Sequence, residues 1–200
     1  MKNILISQII KKNSHNDIIC QVEKNWYDFF KNSNINLITL DASKKIKEKK
    51  ISAIILQGGN DLPNFFKSKE NNLRKKYDLN ILKYALKRKI PILAVCYGFQ
   101  LIVDYYKAEL IKVNNHVRKK HILTFNKNEK KETQIYVNSF HNYGVFNLPK
   151  FFNVVIKCDD KSIEYAKSSN KNIMCTMFHP ERKNSNQSFL KKLIFSHLKI

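Results

Sequence analysis

This 200-residue chain is poor in several things that would otherwise place it quickly. Glycine and proline number only four each, which excludes a collagen-like repeat and a low-complexity linker. No stretch approaches the roughly 18–20 consecutive apolar residues of a membrane span; the run 90–95 is short and carries Pro91. No signal-peptide core follows Met1, so a soluble, cytoplasmic protein is expected. Cys20, Cys96, Cys158 and Cys175 form no C-x-x-C pair or metal-like spacing, which argues against a zinc site and, in a reducing compartment, against disulfides. Acidic residues number 16 against 37 basic ones, for a formal charge of +21. That excess ordinarily suggests nucleic acid, a membrane surface or an anionic substrate. Lys, Asn and Ile, however, supply 81 of the 200 residues, a bias toward A/T-rich codons that produces such a charge by itself. With no interleaving of basic and aromatic residues and no base-reading motif, neither nucleic acid nor a membrane is an expected partner. An anionic small substrate stays compatible. Arginine is scarce, so Arg118 and Arg182, beside histidines, stand out as forks for phosphate or carboxylate; Arg74 and Arg88 are expected in surface salt bridges.

What is present is a core. Hydrophobic residues make up 43% of the chain, with 13 Phe and 9 Tyr, enough for one α/β domain over 1–200. Residues 3–9 read as a strand, and Ile18, Ile19, Val22, Trp26, Phe29 and Phe30 fall at helical spacing. Strands at 36–40 and 52–56 follow, with Asp41 or Ser43 able to cap a short basic helix between them. Leu73, Tyr77, Ile81, Leu82, Ala85 and Leu86 mark a long amphipathic helix, then come a strand at 91–95 and a helix at 97–107. This alternation predicts a mostly parallel central sheet with helices on both faces. After Glu109 the rhythm changes to short strand-like pieces at 110–113, 121–125, 134–138, 154–157 and 173–178, closed by a helix at 186–198. Local antiparallel strands are expected there. The lysine-rich stretches 44–50 and 127–131 read as solvated faces or loops.

The chemistry concentrates in Pro91-Ile-Leu-Ala94-Val95-Cys96-Tyr97-Gly98-Phe99-Gln100, a buried strand that runs into a cysteine and then a helix. Such a turn is a nucleophile elbow: small neighbours, Ala94 and Gly98, permit a strained backbone, and the positive end of the following helix favours thiolate. An isolated cysteine would more simply be a buried structural residue; this context reverses that. A thiolate needs a base and the base an orienting group, both offered by Phe178-His179-Pro180-Glu181-Arg182 after an apolar segment. Charge developing on an attacked carbonyl oxygen calls for two backbone N–H groups. Tyr97 supplies one, and the Gly58-Gly59 loop after the third strand the other, with Gly59 as donor. Taken alone that loop is only a tight turn; on the same sheet edge as Cys96 it becomes functional.

Four segments, Leu56-Gln57-Gly58-Gly59-Asn60-Asp61, Ala94–Gln100, Val137-Asn138-Ser139-Phe140-His141 and Phe178–Glu181, resemble class I glutamine amidotransferases across essentially the whole chain. Within them the chain looks most like the stand-alone γ-glutamyl hydrolase branch. The resemblance implies a flavodoxin-like class I amidotransferase fold, with Cys96 as nucleophile, His179 as base and Glu181 as its partner. Gly58, Gln100, Asn138, Ser139, Phe140 and His141 would line the glutamyl pocket. No metal or organic cofactor is implied. The branch commonly has a glutamine two residues after the motif histidine, where this chain has Asn142-Tyr143; that change bears on what the acceptor side recognises. The Asn138–Tyr143 variant and the Lys/Asn/Ile-rich composition are similar to hydrolases of γ-glutamyl nucleotide amidates in capsule phosphoramidate synthesis. His116-Val117-Arg118 with His121 resembles a further segment of the branch, or else contributes structural strand histidines. The favoured expectation is a stand-alone hydrolase releasing L-glutamate from a small γ-glutamyl amide, anionic or nucleotide-linked, since no synthase domain is attached. The alternatives are a glutaminase subunit feeding ammonia to a separate synthase, and a non-catalytic binding protein on the same scaffold.

Overall fold

The computed structural model describes residues 1–41, 43, 46, 50–127 and 131–200. In chain order its elements are β1 (Lys2–Ile6), β2 (Ile9–Lys12), β3 (Ile18–Gln21), α1 (Lys24–Phe30), β4 (Ile35–Ile38), β5 (Ala53–Leu56), α2 (Lys69–Arg88), β6 (Ile92–Val95) and α3 (Tyr97–Tyr105). The second half adds β7 (Leu110–Lys112), β8 (Val117–Lys127), β9 (Lys131–Phe140), β10 (Tyr143–Val145), β11 (Asn153–Lys157), β12 (Ile163–Ser168), β13 (Ile173–Thr176) and α4 (Gln187–Leu198). Seven strands form the central sheet in the order β11-β12-β13-β6-β5-β1-β4. From β4 to β13 every pairing is parallel, and β12 and β11 extend the edge antiparallel. No helix among the described residues is long and apolar enough to cross a membrane.

The parallel strands are apolar on both sides because both sides are covered. In β5, Ile54 and Leu56 enter a core shared with α2 and α3, while Ala53 and Ile55 enter a second core with Trp26, Phe29, Phe30, Leu190 and Ile194 of α1 and α4. The expected architecture is therefore the observed one, a mostly parallel sheet between helices with antiparallel hairpins added late.

Three local expectations are corrected. Residues 18–21 are a strand, not the start of a helix: β3 pairs antiparallel with β2, and the turn between them is closed by Asn13, whose Oδ1 accepts from the N–H groups of His15 and Asp17. The β-branched pair Ile18-Ile19 suits that pairing, and of the residues at helical spacing only Trp26, Phe29 and Phe30 lie in a helix. The pieces at 121–125 and 134–138 are the middle of one long hairpin, β8 with β9, whose polar flanks hide its length. A whole strand, β12, had no signal, because Glu164 and Lys167 interrupt its apolar pattern although every one of its residues but Lys167, Glu164 included, is buried. The basic helix expected after Asp41 lies for the most part outside the described residues.

Candidate active site

Cys96 sits between β6 and α3 with φ 49° and ψ −103°, a conformation that costs a residue bearing a Cβ about 1–3 kcal/mol and persists only when its surroundings impose it. Here they do. Its N–H donates to the Thr176 carbonyl at 2.8 Å, and its carbonyl accepts from the Gln100 N–H at 3.0 Å, so the neighbouring strand and the first turn of α3 hold both sides of the kink. Gly98 makes the turn sterically possible, because a Cβ there would fall 2.1 Å from the Leu56 carbonyl oxygen at the end of β5. Tyr97 opens α3, where the first N–H groups of a helix have no intrahelical acceptor.

His179 arrives three residues after β13. Asn138, on β9, holds its backbone at two points: Asn138 Nδ2 donates to the His179 carbonyl at 2.8 Å, and the His179 N–H donates to Asn138 Oδ1 at 3.0 Å. Nδ1 of the ring lies 2.6 Å from Glu181 Oε1, which leaves Nε2 for the Cys96 thiol, the ring's other hydrogen-bond partner. Burial by itself would lower the imidazole's pKa; the Glu181 carboxylate and the Cys96 sulfur outweigh it and push it up to about 10. Gly58 closes this side, since a Cβ there would meet His179 Cε1 at 2.4 Å. Thiol, imidazole, carboxylate and glycine loop thus converge at the carboxyl ends of β5, β6 and β13, where parallel sheets ordinarily build their sites.

Arg74 is a correction. Expected in a surface salt bridge, it is fully buried and donates to Asp78 at 3.0 Å, to the Gln57 and Gly58 carbonyls at 2.6 and 3.2 Å, and to Asn60 Oδ1 at 3.1 Å. Its guanidinium also stacks over the Tyr97 ring at 4.4 Å. One planar fork therefore fixes both the glycine loop and the residue after Cys96, a role whose acceptors lie too far apart in sequence to be read there.

The other expected pocket residues divide. Gln100 is buried and donates to the Tyr143 carbonyl at 3.1 Å, while the Tyr143 ring lies flat on Phe65 with centroids 3.5 Å apart. Phe140 stands edge-on to His179 at 6.0 Å, with the Arg182 guanidinium 4.8 Å above its ring. Arg182 forks onto Glu23, Nη2 donating to Oε1 at 2.7 Å and Nε to Oε2 at 3.2 Å. Burial would raise the Glu23 carboxyl, but the Arg182 guanidinium holds it below its ordinary range. Ser139 and His141 turn away from Cys96 toward the base of the hairpin: Ser139 donates to the His116 carbonyl at 2.6 Å, and His141 packs against His116 and Glu164. Arg118 is the extra residue of a bulge in β8, with φ 57°, a device that re-aims a side chain. It lines a groove of about 740 Å³ together with Lys119, Lys120, Tyr136, Asn138, Phe140, Arg182 and Lys183. Cys96 is not part of that wall; the groove adjoins the site through Asn138, Phe140 and Arg182.

Two groups of side chains come within metal-ligating reach among the described residues, Glu23 with His179 and Glu181, and His116 with His121, His141 and Glu164. In the first, Glu23 is already bound by Arg182 and Glu181 by His179. The second is taken up below.

Residues 14–197 match the model of the glutamine amidotransferase class-I family. The chain is 31% identical over 157 residues to the γ-glutamyl-CDP-amidate hydrolase of Campylobacter jejuni, covering 78% of this chain and 76% of that one. It is 30% identical over 142 residues to the glutamine-hydrolysing GMP synthase of Ehrlichia ruminantium, covering 66% of this chain but 26% of that longer protein. The fold is shared with a glutamine amidotransferase from Thermotoga maritima, with a TM-score of 0.64 at 16% identity over 98% of this chain and 82% of that one. By its family match and by the elbow, glycine loop and histidine that its parallel sheet gathers at one edge, the chain belongs to the class I glutamine amidotransferase family.

Proposed function

We propose that the protein is a cysteine hydrolase that cleaves a γ-glutamyl amide and releases L-glutamate, its leaving group an anionic, nucleotide-linked amine. The observation that carries the reading is the strained Cys96 hydrogen-bonded to a His179 whose other nitrogen is held 2.6 Å from Glu181. Cys96, its proton passed to His179 Nε2, attacks the γ-carbonyl carbon as thiolate, and the oxygen that gains charge is met by the N–H groups of Gly59 and Tyr97. His179, protonated at neutral pH, gives its proton to the departing amine, then takes one from the water that hydrolyses the thioester. Glu181 keeps the ring oriented and its charge balanced.

The leaving group follows from the groove. Arg118, Lys119, Lys120, Arg182 and Lys183 surround it with positive charge, and Tyr136 and Phe140 offer ring faces, a combination suited to phosphate and a base. The similarity to a γ-glutamyl-CDP-amidate hydrolase supports the same chemistry and with it a place in capsule phosphoramidate synthesis. The similarity to GMP synthase favours a second reading, a glutaminase that passes ammonia to a separate synthase.

The test is glutamate release from L-glutamine, a γ-glutamyl alkylamine and a γ-glutamyl nucleotide phosphoramidate, by the native protein and by Cys96→Ala. The proposal expects kcat/KM for the nucleotide conjugate to exceed that for glutamine by at least about 100-fold, and the variant to lose at least about 10⁴-fold. Cleavage of glutamine alone selects the glutaminase reading. Absence of Cys96-dependent release from all three refutes both and leaves a binding protein on this scaffold.

A further inference from the structure

We infer that His116, His121, His141 and Glu164 bind a zinc ion that pins the base of the β8–β9 hairpin to the central sheet. This goes against the sequence expectation of a protein without metal, and it does not rest on the hydrolase reading. The four residues come from separate places: His116 precedes β8, His121 lies within it, His141 follows β9, and Glu164 is on β12. Their donor atoms all lie within 4.8 Å of one another.

The hydrogen bonds decide which atoms are free. His141 Nδ1 is 3.1 Å from the Tyr143 carbonyl oxygen, which only accepts, so Nδ1 carries the proton and Nε2 the lone pair. His116 Nε2 is 2.9 Å from Asp160 Oδ2, so in a neutral ring Nδ1 carries the lone pair. These two lone pairs face each other at 3.3 Å, a repulsive arrangement unless a cation lies between them. Each ring thereby donates its remote N–H to a carboxylate or a backbone carbonyl, as metal-bound histidines do.

The acid completes the set. Glu164 is 0% exposed, and neither of its oxygens has a hydrogen-bond partner of normal geometry, nor does the buried His121 Nε2. The other polar groups turned toward the carboxylate are His141 Nε2, 3.4 Å from Oε1, and the Cys158 thiol, a weak donor. A buried carboxylate met only by an imidazole lone pair and a weak thiol donor is among the costliest things a fold can contain. A tetrahedron with donors about 2.0–2.1 Å from its centre has edges of about 3.3–3.4 Å, matching both measured separations. Three imidazoles and one carboxylate suit zinc better than magnesium or calcium, which prefer oxygen. Four protein ligands close the site, so the ion is structural, without an open position for a substrate.

The test uses protein made without a polyhistidine tag and purified without chelator. Elemental analysis by plasma mass spectrometry should find one zinc per chain, retained in Cys96→Ala and His179→Ala. Chelator-treated protein, titrated with zinc against a chromophoric competitor, should bind one equivalent. His121→Ala and Glu164→Gln should weaken it more than Asp160→Asn, the latter by about 10–100-fold. Should a variant fail to fold, the cobalt-substituted native protein decides: intense visible bands of a tetrahedral centre without a thiolate charge-transfer band support the site. A thiolate band, moving the ion to Cys96 or Cys158, overturns it. So does folded native protein that takes up no zinc, or undiminished affinity in both ligand variants, either of which leaves a network held by protons alone.

Discussion

Arg74 and Glu164 are both fully buried charged side chains, and the fold treats them in opposite ways. Arg74 is completed by the chain: a carboxylate, two carbonyls and an amide oxygen accept its protons, and an aromatic ring lies under its plane. Glu164 is surrounded by groups that could balance it only if something were added, a proton or a cation. The first pattern is that of a strut, since each bond runs to a piece of backbone or side chain that must not move. The second is that of a receptor. Burial and charge alone do not separate the two; the count of satisfied partners does.

Breaking the strut should give the larger effect. Arg74→Met leaves Asp78 without its countercharge and frees the Gln57 and Gly58 carbonyls, and removing one partner of a buried pair costs about 3–5 kcal/mol. Denaturant unfolding should register that loss. In the protein that remains folded, the glycine loop and Tyr97 lose their common anchor, so kcat should fall by about 100-fold with KM nearly unchanged, as misplacement of a catalytic group by an ångström does. Native stability in Arg74→Met would mean that the network is ornament.

The His179 imidazole extends the contrast from the other side, because it carries a buried charge that its own partners stabilise. Its pKa is pushed up to about 10 against burial by Glu181 and Cys96, while an unfolded histidine titrates near ~6.5. Stabilisation from this ring is therefore complete below about pH 6.5 and is lost as pH rises toward 10. Activity should follow the same protonated form, level from pH 7 to 9 and falling about tenfold per pH unit above about 10. A pH–rate profile of kcat/KM tests it, and a fall beginning near pH 7 would show that the ring is not held in this way.

Legibility in the sequence follows the same division. The elbow at Cys96, the Gly58-Gly59 loop and the His179-Pro180-Glu181 string are short segments at the ends of apolar strands, so a few neighbouring residues carry the whole signal. The parallel half of the sheet could be read for the same reason, its strands being nearly continuous apolar runs. Arg74 could not, because its acceptors belong to residues 57, 58, 60 and 78 and nothing near position 74 marks it as interior. Nor could β12, where the buried acid that matters most, Glu164, is also what disguises the strand. Asn138, which the resemblance puts in a substrate pocket and which lines the groove, also grips the His179 backbone with its amide from 41 residues away, a contact that no local pattern marks. Ile18 and Ile19 mislead in the opposite direction, matching a helical period only because a hairpin sets them next to a real helix.

The smallest predicted effect separates strut from receptor by its sign. In zinc-free protein, Glu164→Gln replaces an unpaired buried carboxylate by a neutral group of the same shape, so it should leave stability unchanged or raise it by about 1 kcal/mol. With zinc present, the same substitution should lower stability, because the native chain gains RT ln(1 + [Zn]/Kd) and the variant gains much less. Unfolding curves of both proteins, with and without zinc, therefore cross. If Glu164→Gln instead destabilises the protein equally in both conditions, Glu164 is a strut like Arg74, held by the imidazoles around it, and the contrast between the two buried charges disappears.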